Sequence, residues 1–307
     1  MALSSSVSTA EMADWAVRPA RHLSRWVAAA VVLMVFGLLV RAFAQSSIQW
    51  GIVRKYFTTT IVIEGFLRTL QITAVSMLLA IVLGVIFAVM RMSKNPVTSG
   101  VAWLYVWFFR GTPILLQILL WFNLAVVFPR LAFPGIYSGR TIDVITPFIA
   151  GVLALGVNEG AYLTEVIRGG MLSVDEGQDE ASTALGLSRL QALRSIILPQ
   201  AMRVIIPPVG NETIGMLKTS SLVAVISFNE LLGTVQQIYF VQGRVIELLF
   251  VAGAWYLVAT SVLSIGQYYL ERHLGRGLQR SRPRSTLENA ILRLVGARRP
   301  SATRARS

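Results

Sequence analysis

Long apolar runs constrain the fold of this chain more than any other feature of its sequence. A helix needs roughly 20 residues to cross the hydrocarbon layer of a membrane. Runs that can cross, some of them only with their flanking residues, lie at residues 26–44, 69–90, 114–128, 142–167, 204–232 and 246–270. The sequence therefore predicts an all-α membrane protein with six spanning helices in one bundle.

The composition excludes an ordinary soluble domain. Hydrophobic residues make up 54% of the chain and charged residues only 14%, with a mean hydropathy of +0.63, whereas soluble domains carry about 25% charged residues. The net charge is +13, and residues 271–307 alone contain ten arginines. After a hydrophobic span, such a segment indicates cytoplasmic orientation and contact with anionic lipid rather than with nucleic acid. The chain has no cysteine, which excludes a thiolate site.

The N-terminal region leaves two alternatives open. Residues 1–25 are polar, contain three arginines and precede the first apolar run at residues 26–44. This run can be an extra transmembrane helix behind a cytoplasmic segment, or the core of a cleavable signal peptide. We predict the helix, because the polar lead is long for a signal peptide. The orientation of the later spans is the same in both cases.

One polar stretch, residues 173–201, interrupts the apolar runs and is called the polar loop below. Ser173 with Glu176, and Ser188 with Gln191, have the spacing of capping boxes, in which two side chains satisfy free amides at the start of a helix. Two short helices with their own start signals are therefore predicted.

Other residues of the polar loop set the ends of these two helices. Gly186 suits the left-handed residue that closes the first helix, and Pro199 is predicted to end the second. An apolar stripe at three-residue steps is formed by Leu187, Leu190, Leu193 and Ile196. Taken alone, an amphipathic stretch of this kind would most simply lie on a membrane surface.

The polar loop resembles the EAA loop of permease subunits of ATP-binding cassette importers. The matching positions are Gly177, Glu180, Ala181, Ser182, Gly186, Ile196, Leu198 and Pro199. Ser182 stands where the family usually has a second alanine, and because serine is small we expect little consequence. In that family the loop contains the coupling helix, which sits in a groove of the ATP-hydrolysing subunit. The resemblance implies the same cytoplasmic role here.

Three further segments resemble the polar amino-acid permeases within this importer class. They are FFRGTPILLQ at residues 108–117, AYLTEVIRGGM at residues 161–171, and LPQAMRVIIPPVGNETIGMLKTSSLVAVI at residues 198–226. The resemblance implies a type I importer permease domain at residues 64–271, with five core transmembrane helices, and one additional N-terminal helix. Residues 272–307 are predicted to form a basic, disordered cytoplasmic tail.

Five aromatic residues crowd residues 101–109. This density is typical of a segment that lies at the membrane interface. After it, Thr112 is predicted to cap a helix that begins with Pro113, and Arg110 is predicted either to extend to the interface or to belong to the family signature.

Polar residues inside the spans are predicted to line a substrate path, because an ionisable side chain at mid-bilayer costs about 2.5–3.5 kcal/mol and therefore avoids lipid. The candidates are Asn158, Glu159, Tyr162, Glu165, Asn211, Lys218 and Thr219. Glu165 can instead pair with Arg168, three residues later. Pro207 and Pro208 are predicted to break the fifth span, and the hydroxyls of Ser220 and Ser221 to join helices.

The resemblance implies a multi-pass permease of the bacterial inner membrane that imports polar amino acids. Its expected partners are ATPase subunits, a second permease subunit, identical or different, and an extracytoplasmic binding protein. A sequence around Gly210 and Lys218 imitates a phosphate-binding loop but has two residues too many before the lysine. We therefore expect no cofactor, metal or enzymatic site in this chain, with ATP and magnesium on the partner ATPase. An ion-coupled carrier that titrates Glu159 or Glu165 is the alternative.

Overall fold

Helices form almost all of the computed structural model, which describes residues 23–133 and 137–274. Within these residues the helices are α1 Leu23–Ala44, α2 Trp50–Phe57, α3 Thr60–Arg91, α4 Pro96–Gly111, α5 Ile114–Phe122, α6 Leu124–Val127, α7 Thr141–Val144, α8 Pro147–Leu172, α9 Glu176–Ala184, α10 Arg189–Ala192, α11 Leu198–Thr219, α12 Leu231–Gln242 and α13 Val245–Leu274. A π-helical turn, Leu193–Ile197, precedes α11, and a 3₁₀ segment, Ser220–Ile226, follows it. Most of the predicted N-terminal segment and most of the predicted basic tail lie outside the described residues.

The chain divides into two units. The unit that ends at Trp50 contains α1, whose side chains are exposed from Trp26 to its end, as expected of a helix surrounded by lipid. The second unit begins at Gly51, before the predicted domain start at residue 64. In it, Phe57 of α2 stacks on Trp255 of α13 with their ring centroids 5.1 Å apart. Helix α2 is therefore packed into the bundle.

The number of spanning helices is smaller by length and composition than the six predicted. Among the described residues, α1, α3 and α13 are long and apolar enough to cross a membrane, and α4 with α5 makes a fourth span if this bent pair crosses as one. The predicted spans at residues 142–167 and 204–232 correspond to α8 and to α11 with its 3₁₀ segment. Neither of these two helices is apolar enough to be counted as a span by composition.

Close packing of α3 on α8 forms the centre of the bundle. A Cβ atom added at Gly84 of α3 would lie 2.8 Å from the Cβ atom of Leu163, and one added at Gly156 of α8 would lie 2.7 Å from Leu79. Helices in membranes approach each other through small residues of this kind. The buried apolar side chains around this contact are Ile72, Met77, Ala80, Ile118, Leu155 and Leu163.

A buried carboxylate joins α3, α12 and α13. Glu230 is fully buried and caps α12, and its oxygens accept hydrogen bonds from the amides of Leu232 at 2.9 Å and Gly233 at 2.8 Å. The hydroxyl of Thr69 on α3 donates at 3.2 Å and that of Tyr256 on α13 at 2.7 Å. With four donors, this carboxylate is satisfied inside the protein.

A short hairpin lies between α6 and α7 and was not predicted. Strand β1, Arg130–Phe133, pairs antiparallel with β2, Tyr137–Arg140. Just after it, the Arg140 guanidinium donates to both oxygens of Asp143, at 2.8 and 2.9 Å. These hydrogen bonds lower the pKa of the exposed Asp143 carboxyl. The hairpin lies at the end of α8 opposite to the polar loop.

We expect Gly84→Val to lower the free energy of unfolding by about 1–3 kcal/mol, because its side chain would overlap Leu163 in a packed core. The matched control is Gly253→Val on α13, where a Cβ atom would meet nothing within 4 Å. Thermal unfolding of both variants in detergent, followed by tryptophan fluorescence, measures the difference. Equal midpoints would contradict the proposed packing.

Candidate functional site

The polar loop begins with a cap at Asp175 rather than at Ser173. The amide of Gly177 donates to Asp175 Oδ1 at 2.8 Å, and this starts α9. The predicted box of Ser173 with Glu176 is wrong, because α8 extends to Leu172 and the Ser173 hydroxyl donates back to the Gly170 carbonyl at 2.7 Å.

The end of α9 has the predicted glycine geometry. Gly186 has a φ of +74°, in the left-handed region. Its amide donates to the Thr183 carbonyl at 3.0 Å, and the amide of Leu187 donates to the Ser182 carbonyl at 3.1 Å. This pair of bonds is the Schellman motif, which closes a helix and redirects the chain.

The second capping box is confirmed, but the predicted end of the second helix is wrong. The Ser188 amide donates to Gln191 Oε1 at 2.8 Å, and the Gln191 amide donates to Ser188 Oγ at 3.4 Å. Pro199 lies in the first turn of α11 and therefore does not end a helix. The π-helical turn before it, in which the Leu198 amide donates to the Leu193 carbonyl, accommodates a proline that lacks its own amide hydrogen.

Most of the predicted coupling residues are exposed on the polar loop. Gly177, Glu180, Ala181, Gly186, Leu198 and Pro199 are exposed, and Ile196 is half-buried. Ser182 is buried, and its hydroxyl donates to the Gln178 carbonyl at 2.5 Å. Leu185 and Leu190 lie on either side of Gly186 with 77% and 55% of their surfaces exposed. The loop therefore presents an apolar contact surface on a capped, rigid turn.

A break between α4 and α5, at Thr112 and Pro113, bends the chain by 103°. Gln117 Nε2 donates to the Phe109 carbonyl at 3.0 Å and to Thr112 Oγ1 at 2.7 Å, and Asn158 Nδ2 of α8 donates to the same Phe109 carbonyl at 2.7 Å. These bonds hold the bend against α8. Thr112 does not cap α5, because its hydroxyl donates back to the Phe108 carbonyl at 2.9 Å.

The aromatic segment before the break is helical and packs against α8. Tyr105 of α4 donates to the Val157 carbonyl of α8 at 2.7 Å. The Arg110 guanidinium lies 4.9 Å from the centroid of the Tyr162 ring, also on α8. The predicted position of this segment at the membrane interface stays a prediction.

Two carboxyl groups meet between α8 and α11. Glu159 of α8 lies beside Glu212 of α11, close enough for their side chains to interact. Glu159 Oε1 is buried and has no hydrogen-bond partner in the part of the chain that the structure describes. Glu159 was predicted to lie on the substrate path, whereas Glu212 was not among the predicted path residues. Their pairing depends on the packing of two distant segments and leaves no signal in the spacing of either one.

Glu165 is engaged by two arginines. Arg168 donates to Glu165 Oε2 at 2.7 and 2.9 Å, and the Arg91 Nε atom of α3 lies 3.5 Å from Glu165 Oε1. The alternative of a Glu165–Arg168 pair is therefore confirmed. This cluster lies at the end of α8 that carries the polar loop.

The remaining predicted path residues lie on α11. Asn211 and Lys218 are exposed, and the Thr219 hydroxyl donates to the Gly215 carbonyl at 3.1 Å. The hydroxyls of Ser220 and Ser221 also donate to carbonyls of their own segment, so they do not join helices. Pro207 and Pro208 lie inside a continuous helix, which corrects the predicted break. Within residues 23–133 and 137–274, no three His, Asp or Glu side chains gather as metal ligands.

Comparison with known families identifies the arrangement. Residues 80–276 match the family of binding-protein-dependent transport system inner membrane components. The chain belongs to this family. Over 278 residues it is 44% identical to an arginine transport system permease protein of Corynebacterium glutamicum, and this match covers 89% of this chain and 87% of the relative. It is also 36% identical to a glutamine transport system permease protein of Escherichia coli, and this match covers 70% of this chain and 93% of that relative.

Solved structures agree with this assignment. The chain resembles a subunit of an amino-acid ATP-binding cassette transporter determined with histidines, with a TM-score of 0.64, 35% identity and coverage of 74% of this chain and 100% of that one. A methionine transporter subunit with 18% identity and a TM-score of 0.57 supports the fold. The protein is thus an inner-membrane permease of a binding-protein-dependent amino-acid importer, with the type I permease fold.

We expect Glu165→Gln to lower the free energy of unfolding by about 1–2 kcal/mol, because it leaves Arg91 and Arg168 without their carboxylate in a partly buried position. The KM for amino-acid uptake should not change, because this carboxylate is occupied by arginines. Thermal unfolding and proteoliposome uptake measure the two effects, with Asp143→Asn as the exposed control. A raised KM with unchanged stability would instead return Glu165 to the substrate path.

Proposed function

We propose that this permease imports amino acids with a cationic side chain, such as arginine. The observation that carries the proposal is the Glu159–Glu212 pair, with Glu159 Oε1 unpartnered. A guanidinium is charged at every physiological pH and binds carboxylates through paired hydrogen bonds. When both carboxyls are charged they repel each other, and a cation between them removes that repulsion. The relative with 44% identity, which is named for arginine transport, supports the same substrate class.

Transport is driven by ATP and magnesium on a partner ATPase, and this chain has no ATP-hydrolysing site of its own. The polar loop is the contact with that ATPase through Gly177, Glu180, Ala181, Gly186, Ile196, Leu198 and Pro199, while Ser182 supports the loop from within. Its exposed leucines and two capped turns suit a surface that must transmit force without deforming. Movement of the loop displaces α8 and α11 together, because it is covalently continuous with both.

The complete importer contains further subunits. A binding protein delivers the amino acid from outside, and a second permease subunit, identical or different, completes the translocation path. The exposed apolar faces of α1 and α13 contact lipid, and no nucleic acid is involved. Asn211, Lys218 and Thr219 stay predicted path residues on the α11 side, and Asn158 and Tyr162 on the α8 side.

Substitution of Glu159 or Glu212 tests whether this pair binds the cationic group of the substrate. We expect Glu159→Gln and Glu212→Gln each to raise the KM for arginine by about tenfold or more, which corresponds to about 1.4 kcal/mol. Uptake of glutamine, measured in the same proteoliposomes with ATPase and binding protein, should change by less than about twofold. The matched control is Glu64→Gln, because Glu64 is an exposed carboxylate on α3 that forms only a 4.0 Å contact with Arg68.

Two results would contradict the proposal. Equal losses for arginine and glutamine would mean that the two carboxyls act on the bundle rather than on the cationic group. Uptake that collapses with an ionophore and ignores vanadate would support an ion-coupled carrier that titrates Glu159.

Gly186 generates a test of coupling. Gly186→Val should reduce both ATPase binding and uptake by about tenfold, because a β-branched residue is strained at a φ of +74°. The matched variant Gly186→Asn should stay within about twofold, because asparagine tolerates this conformation. No atom lies within 4 Å of a Cβ at this position, so the contrast reports on conformation rather than on crowding. Co-purification of the ATPase and uptake per ATP hydrolysed are the measurements; equal activity of both variants would refute the role.

A further inference from the structure

Arg110 lies in the last turn of α4, beside the break, and no carboxylate neutralises its charge among the residues described. Its guanidinium contacts the Tyr162 ring, and the ion pairs of the described residues involve other arginines. A charge in a membrane-spanning segment is costly unless it faces water or a counter-charge, and such residues mark substrate or ion pathways. The side chain of Arg110 is exposed and is therefore accessible to an anion.

Two helix ends of opposite partial charge meet at the break beside Arg110. The first turn of α5 after Pro113 has free amides and the positive end of its dipole, whereas α4 ends there with carbonyl groups. A separate observation points to a ligand: Gln117 is 3% exposed, and its Oε1 atom has no donor in the described part of the chain. Its Nε2 atom already donates to acceptors of the break, which sets the orientation of the amide.

We propose that the break between α4 and α5 binds the amino-acid backbone of the transported substrate, with Arg110 holding its α-carboxylate and Gln117 Oε1 accepting from its α-ammonium. This inference rests on the proposed import of cationic amino acids, in which the opposite end of the substrate meets Glu159 and Glu212. Tyr162 follows Glu159 by three residues, about 4.5 Å along α8, and its ring leans toward that preceding turn. Arg110 contacts this ring, so one amino acid can reach both Arg110 and Glu159.

The test compares ligands that differ only in the carboxylate. The permease–ATPase complex is purified in nanodiscs without the binding protein, and binding is measured for arginine and its decarboxylated form agmatine, and for glutamine and its decarboxylated form 4-aminobutanamide. The parental complex should bind each amino acid at least tenfold more tightly than its decarboxylated form. Arg110→Met should abolish that preference while leaving agmatine binding within twofold, and Arg110→Lys should retain part of it.

The control variant Arg130→Met removes an exposed charge from the hairpin and should keep the full preference. Agmatine binding also reports that each variant is folded. Equal weakening of arginine and agmatine by Arg110→Met would overturn the inference and indicate a structural role, and an unchanged preference would overturn it outright. Failure of the parental complex to bind any of the four ligands would refute a built site at the break.

The same data separate this inference from the proposed substrate class. If glutamine binds and arginine does not, the proposed cationic selectivity is wrong, and the glutamine pair alone then decides the role of Arg110. If arginine binds but Arg110→Met leaves its preference over agmatine intact, the substrate class stands and the carboxylate site is wrong.

Discussion

The structure depends on one constraint: inside a membrane, each polar group must be satisfied by the protein or must face water. Glu230 meets it with four hydrogen-bond donors and thereby joins α3, α12 and α13. Glu165 meets it with Arg91 and Arg168. Within the described chain, Glu159 Oε1 has no hydrogen-bond partner and Arg110 has no carboxylate partner. These unsatisfied groups, rather than all polar groups, are the basis of the proposed substrate path.

Continuity of two helices connects those groups to the polar loop. Helix α8 runs unbroken from Glu159 to Leu172, where the loop begins, and α11 runs unbroken from Leu198, inside the loop, past Glu212. The 13 residues from Glu159 to Leu172 make about 20 Å of regular helix. A displacement of the loop is therefore transmitted along stiff segments to the facing carboxyls. The prolines of α11 do not interrupt this connection, contrary to what their position in the sequence suggested.

Local signals in the sequence predicted the geometry at some positions and failed at others, among them Ser173, Thr112 and Pro199. The box at Ser188 and the left-handed Gly186 depend on neighbours within a few residues, and both predictions are confirmed. The Ser173 cap failed because α8 continues to Leu172, past the contact between Gly170 and Ile205 of α11. Apolar runs located the helices, but the facing of Glu159 and Glu212 arises from the docking of two helices more than fifty positions apart in the chain. The spacing of residues within either helix does not predict such a contact.

The contacts also show which parts of the site move together. Asn158 and Tyr162, both on α8, hold the Phe109 carbonyl and the Arg110 guanidinium, so the break and Glu159 share one frame. Glu212 belongs to α11, which meets α8 tightly at Gly170, close to the polar loop. In the proposed transport cycle, a rotation about that contact changes the distance between Glu212 and Glu159 and leaves Arg110 in place relative to α8. In the proposed site, the backbone end of the amino acid is therefore held at the break between α4 and α5, which is fixed to α8, whereas its side-chain end lies where the driven motion acts.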